Sequence, residues 1–398
     1  MTALTKRLNF DNFNGVDLVI NVLRVVIIAL VIIGSTRTII SGQYTAQQWV
    51  DLTISGLAQG SIYALIALGY TLVYGILLMI NFAHGEIYMA GAFTTYFLAA
   101  AFSRSDFLNN FPWLAIPLLL IFSGLVSMTL AVLLERVAYR PLRGAPRLIP
   151  LITAIGASFF LQYTFRGLYG SSFKSYPNVD ALDGSFTFGV FSISYTEVVV
   201  FVATFILMAG LYYLVEFTKL GKAMRAVSEN KEVSTLMGID IDRVIVFTFA
   251  IGGFLAGAAG VINGLYRPQG VNFFMGFIPG IKAFTAAVLG GIGNIVGAMV
   301  GGLFLGVIEA VGPNLILDGL GIPGANQLKD VIAFTMLVLI LIFRPSKGVT
   351  LDGFAIGENL VGDDAVNLAR TRARILRCTW EGARSDGLDP DGCHALPR

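Results

Sequence analysis

Asn81, His84 and Glu86 place an amide, an imidazole and a carboxylate in the short stretch Met79-Ile80-Asn81-Phe82-Ala83-His84-Gly85-Glu86. An imidazole beside a carboxylate can relay protons, and intramembrane ionisable groups commonly do so. His84 and Glu86 stand two apart, so on one helix they point about 200° away from each other. A relay would therefore require a backbone break at Gly85. The structural reading, in which these residues hydrogen-bond a helix break and hold it, is the expectation. Asn263, Asn294 and Glu309 also stand in apolar surroundings. Together with Asn81, His84 and Glu86 they are the candidates for lining a translocation path, though each alone also serves as interhelical glue.

Other chemistry finds little support. Gly291-Ile292-Gly293 with Gly297 imitates a dinucleotide fingerprint, but the last glycine falls one residue late and no strand–turn–helix unit surrounds it. No GxxxxGK[ST] segment occurs, so ATP-driven work must come from a partner, and no cofactor is expected. The only cysteines, Cys378 and Cys393, give neither a disulfide framework nor metal spacing. A net charge of +2 points to no nucleic-acid partner.

The elements that must position these residues are membrane spans. Leu52 to Ile80 is almost wholly apolar and uncharged, and roughly 20 such residues cross a bilayer core. The 398-residue chain is 56% hydrophobic and only 13% charged, about half the usual charged share. Its 45 glycines fit helices packed through small residues. Apolar runs lie near 18–33, 52–79, 87–102, 113–134, 148–168, 197–215, 244–264, 281–292, 295–311 and 329–343. The fold class is all-α polytopic membrane protein, with about 8–10 transmembrane or re-entrant helices.

The first run follows Lys6 and Arg7 and has a rival reading as a cleaved signal peptide. Arg24 and the lack of a small-x-small cleavage pattern favour a retained span. The short pair 281–311, divided at Gly290–Asn294, reads either as two crossings or as a re-entrant hairpin. Glycines four apart (253/257, 260/264, 297/301 and 302/306) put 244–311 at the centre of the bundle.

Cationic residues sort the loops. Lys6, Arg7, Arg136, Arg140, Arg143, Arg147, Lys219, Lys222, Arg225, Lys231, Arg243, Arg344 and Lys347 fall on one side. Arg37, Arg104, Lys174 and Arg267 fall on the other. The positive-inside rule makes the first side, and both termini, cytoplasmic.

The cytoplasmic stretch from Lys219 to Arg243 is the clearest interaction element. Leu220, Met224 and Val227 follow helical spacing, and Val233, Leu236 and Met237 repeat it after Asn230. Gly238 is placed to end the second helix. Such an amphipathic element can fill a groove on a soluble partner. The alternative, a helix flat on lipid headgroups, fits less well, because five basic residues are balanced by Glu216, Glu229, Glu232, Asp240 and Asp242.

With these residues in place, the chain resembles the permease subunits of high-affinity branched-chain amino acid ABC importers of the LivH type. The resemblance rests on Gly60–Thr71, Asn81–Glu86, Glu135–Pro141, Arg225-Ala226, Met237-Gly238-Ile239, Asp242–Ile245 and Lys282–Gly293, in the family order from about Trp49 to Pro345. It implies an ABC importer permease fold in the bacterial inner membrane. It further implies a second homologous permease, two cytoplasmic ATPases that consume the ATP, an extracytoplasmic binding protein and an amino-acid substrate. By the same resemblance, 219–238 is the coupling segment. Leu220, Met224, Arg225, Val227, Glu232, Leu236, Met237 and Gly238 are its candidate contacts. Related permeases carry urea, amides or other amino acids. A rival of another class is a self-sufficient channel or proton-coupled carrier using His84 and Glu86. The domain reading is an N-terminal extension at 1–48, a permease domain at 49–347 and a polar tail at 348–398. The extension and the tail depart from the family pattern.

Overall fold

A computed structural model describes residues 15–343, apart from 147, 189–190, 268 and 323. The expectations for residues 1–14 and for the tail from 348 to 398 lie outside the described residues.

Ten apolar helices account for the ten apolar runs: α1 Gly15–Ser41, α2 Ala46–Leu77, α3 His84–Arg104, α5 Pro112–Leu134, α6 Leu148–Tyr169, α7 Tyr195–Phe217, α10 Ile241–Tyr266, α11 Phe277–Gly290, α12 Ile295–Gly312 and α13 Lys329–Phe343. Three shorter helices lie between them: α4 Phe107–Asn110, α8 Lys219–Glu229 and α9 Lys231–Leu236. A small antiparallel hairpin, β1 Ser185–Phe188 and β2 Phe191–Ser194, precedes α7. Among the described residues, six helices are long and apolar enough to cross a membrane: 46–77, 112–142, 148–169, 195–217, 241–266 and 295–317. α11 has 14 residues, which at 1.5 Å per residue reach about 21 Å, short of a core of about 30 Å. The ambiguous pair at 281–311 is therefore unequal, one full-length helix and one short one.

Local chemistry fixes several boundaries. Thr45 and Ser194 open α2 and α7 with capping boxes completed by Gln48 and Glu197. Thr218, Asn230 and Asp240 cap α8, α9 and α10. α1 is longer than the apolar run 18–33. It continues through Thr36 and Thr38, whose hydroxyls bond back to carbonyls four residues earlier. Thr38 also donates to the Leu315 carbonyl at 2.9 Å, tying α1 to the π-helical turn that follows α12.

The expected centre needs correction. α10 is largely buried, but the axis of the bundle is α2, from Ile62 to Leu68 without accessible surface on any apolar side chain. α12 lies directly along it. A side-chain carbon at Gly60 would come within 2.8 Å of the Leu303 carbonyl oxygen, and one at Gly302 within 2.5 Å of Ala64 Cα. A helix apolar on every face can be covered by protein or by lipid, and on α2 glycine permits backbone-to-backbone cover by protein.

The loops sort to two ends. At one, Arg140 and Arg143 pair with Asp242, and Arg143 also pairs with the buried Glu135. At the other, Asn109 donates to Asp180 and Lys174 bridges to Val271.

Gly306→Val should break the α2–α12 contact at a cost of about 3 kcal/mol or more, since no side chain can yield there. Gly156→Ala on α6, where nothing lies within 4 Å, should change stability by less than about 1 kcal/mol. Thermal unfolding in detergent compares the two, and equal midpoints would refute the packing argument.

Candidate functional site

The polar stretch after α2 sits at a break in the helix, buried in protein. Leu78 adopts a left-handed conformation (φ 56°) and ends α2. The chain then passes through Asn81 and restarts at His84, whose amide donates to the Asn81 carbonyl at 3.1 Å. Asn81, His84 and Glu86 are all buried. Non-helical backbone at such a place requires protein or water to cover it, and here each polar side chain reaches a different neighbour.

Tyr139, in the π-turn that extends α5, donates to Asn81 Oδ1 at 2.9 Å. The His84 ring packs on Gly69 of α2 and near Gly252 of α10. It stands edge-on to Tyr70 with centroids 4.8 Å apart, and a ring nitrogen hydrogen-bonds the Ile66 backbone. Glu86 turns the other way, accepting from Gln162 Nε2 at 2.6 Å and Ser158 Oγ at 3.3 Å on α6. Gly85 between them lies against Gly276 and Gly280 at the start of α11. α3 runs unbroken from His84 through Glu86, so the two titratable groups diverge as their spacing requires. The arrangement fastens a helix break to α2, α6, α10, α11 and the end of α5. It does not form an acid–base pair.

The other path candidates are dispersed. Asn263 is buried on α10. Asn294 is exposed and caps α12, its Oδ1 accepting from the Gly297 amide at 3.0 Å. Glu309 lies in an ionic cluster that the sequence reading missed. Lys282 of α11, itself buried, pairs with Glu309 at 2.7 Å and with Asp330 of α13 at 2.5 Å. Tyr63 of α2 donates to the same Glu309 oxygen at 3.2 Å. The signal was present, because a lysine inside an apolar run needs a buried anionic partner. The partners' positions, far along the chain, were not readable.

The pair α8–α9 takes the expected helical form, with one correction. Met224 and Val227 are buried against this chain's own core, packed with the residues of the main hydrophobic cluster. They cannot also enter a partner. The exposed apolar side chains are Leu220, Val233, Leu236 and Met237, the last two 86% and 77% exposed. The reason is geometric: α8 lies along the body through Met224 and Val227, and the cap at Asn230 turns α9 outward. Arg225 pairs with Glu216 at 2.5 Å, which anchors α8 to the end of α7. Glu232 is exposed in the first turn of α9. Gly238 has φ 81°, the left-handed geometry expected of a helix-ending glycine. Partial burial, with the Arg143 guanidinium nearby, lowers the Lys231 ammonium pKa.

Residues 52–341 match the branched-chain amino acid transport system permease component family. The chain belongs to that family. The high-affinity branched-chain amino acid transport system permease protein BraD of Pseudomonas aeruginosa is 46% identical over 75% of this chain and 94% of its own length. The corresponding protein LivH of Salmonella typhimurium is 41% identical over 73% and 92%, and that of Escherichia coli K12 is 40% identical over the same shares. The permease is thus a multi-pass membrane protein, and the family expectation from its motifs holds. The matched region takes in the helix break, the ionic cluster and α8–α9.

Lys282→Ala would leave Glu309 buried without its cation, a loss of about 3–5 kcal/mol. Replacing both, as Lys282→Met with Glu309→Gln, should recover most of it. Folded yield and thermal midpoint test this, and a double variant no better than Lys282→Ala would refute the pairing. His84→Asn should lower folded yield more than it shifts the pH profile of uptake. A moved profile at normal yield would instead make His84 a proton carrier.

Proposed function

We propose that this chain is a translocation subunit of an ATP-driven importer of branched-chain amino acids, working by alternating access. It sits in the bacterial inner membrane with both termini cytoplasmic. Its partners are a second homologous permease, two cytoplasmic ABC ATPases and an extracytoplasmic binding protein that delivers leucine, isoleucine or valine. The chain itself binds no ATP and needs no cofactor. Membership of the family, and relatives named as branched-chain amino acid permeases, support the substrate class.

The observation that carries the mechanism is the outward apolar face of α9. Val233, Leu236 and Met237 stand exposed beside a helix whose Met224 and Val227 are already buried in this chain. Exposed apolar side chains grouped on a structured element mark a protein contact. That face is where closure of an ATPase would be felt. The Arg225–Glu216 pair holds α8 to α7, and Met224 and Val227 pack it on the body, so a push on α9 is passed to the bundle. The proton-coupled rival loses its main support, since His84 and Glu86 face different helices.

Reconstitution tests the assignment. Liposomes holding the complete assembly should take up leucine with ATP and binding protein present, whereas this chain alone should neither hydrolyse ATP nor accumulate leucine on a pH gradient. Accumulation by the chain alone would overturn the proposal. Leu236→Asp with Met237→Asp should leave folding intact and release the ATPases. Burying a carboxylate in an apolar cleft costs several kcal/mol, and about 3 kcal/mol is roughly a hundredfold in association. Met224→Asp should instead reduce folded yield. If the double variant retains its ATPases and full uptake, α9 is not the docking face.

A further inference from the structure

Between α5, α7 and α10 the outer surface is hollowed into a groove of about 970 Å³. Met128, Val132, Leu214 and Phe247 represent its walls, and the lining is almost entirely apolar. One cation, Arg136, stands at its end. Arg136 is exposed and takes part in no ion pair among the described residues, whereas Arg140 and Arg143 nearby are committed to Asp242.

We propose that this groove holds one glycerophospholipid of the leaflet on the Arg136 side, with an acyl chain against α5, α7 and α10 and its phosphate on the Arg136 guanidinium. The groove's length fits one leaflet. From Met128 to Arg136 is eight residues, about 12 Å of helix at 1.5 Å per residue, against about 15 Å for half of a bilayer core. The cation stands where a headgroup begins, and basic pockets between spans on the cytoplasmic side recognise lipid phosphates. Guanidinium suits that task, because its fork can donate two hydrogen bonds to one phosphate. Gly210 adds an independent observation. It lies about two-thirds of the way along α7 and lines the groove, yet nothing occupies the 4 Å around the place its side chain would take. Close helix packing, which accounts for Gly60 and Gly302, does not account for it. A glycine there keeps the wall low and the groove deep.

The test uses the full chain with the subunits that accompany it, exchanged into micelles containing palmitoyl-oleoyl phosphatidylglycerol and phosphatidylethanolamine, then washed. Native mass spectrometry and phosphorus analysis count the retained lipid. The wild type should keep about one phospholipid per copy of this chain, and Gly210→Phe, which fills the groove from open space, should lower that roughly tenfold. Arg136→Gln should do the same and Arg136→Lys should restore retention in part. Thermal midpoints in lipid-free detergent should stay at the wild-type value, which separates lost lipid from lost folding. Retention at the wild-type level in both Gly210→Phe and Arg136→Gln would overturn the proposal. So would a photo-crosslinker at Leu207 that joins only protein, because the groove would then be covered by another subunit's helix. The count concerns bound lipid, not transported solute, so its failure is distinct from failure of the importer reading.

Discussion

The fold depends on how closely α2 and α12 approach. Lipid tails are as apolar as leucine, so burial of apolar surface gives membrane helices little reason to associate. Association must come from dispersion contacts, which fall off steeply with distance, and from polar bonds. Gly56 and Gly60 on α2 face Gly302 and Gly306 on α12 near enough that no side chain could fit between them. α10 repeats the device against α3 and α5. Gly91 and Gly257 lie against Ser123 and Ser127, whose hydroxyls donate to the Gly257 and Ile87 carbonyls at 2.6 and 2.8 Å.

Around that axis the buried polar groups act as fasteners. Asn81, His84 and Glu86 interrupt a helix and then hold the interruption to the surrounding elements, so irregular backbone is covered by protein. Lys282, Glu309, Asp330 and Tyr63 join α2, α11, α12 and α13 at one point. Buried polar groups are costly to leave without partners, and Asn81, Glu86 and Lys282 each reach a partner on another element.

The end carrying α8 and α9 is built differently. Its apolar residues divide between an inward set, Met224 and Val227, which moors the segment, and an outward set, Leu236 and Met237, which stands exposed. Burial and the Arg225–Glu216 pair fix the segment against the body.

The sequence by itself determined the class, the ten apolar runs and the ends of most helices, because a membrane imposes its length and its apolarity residue by residue. The same is true of Gly238, whose left-handed geometry follows from local chemistry. Local spacing also required His84 and Glu86 to diverge. Tertiary structure alone decided what each apolar face meets. Leucine facing lipid and leucine facing protein carry the same hydrophobic signal, so α2 could not be told from α5 as the axis. Met224 and Leu236 likewise look alike in sequence, and only the packing of α8 on the body separates them. Lys282 announced the need for an anion, but which carboxylate met it depended on α12 and α13 folding back across α11, a long-range closure that no local pattern encodes.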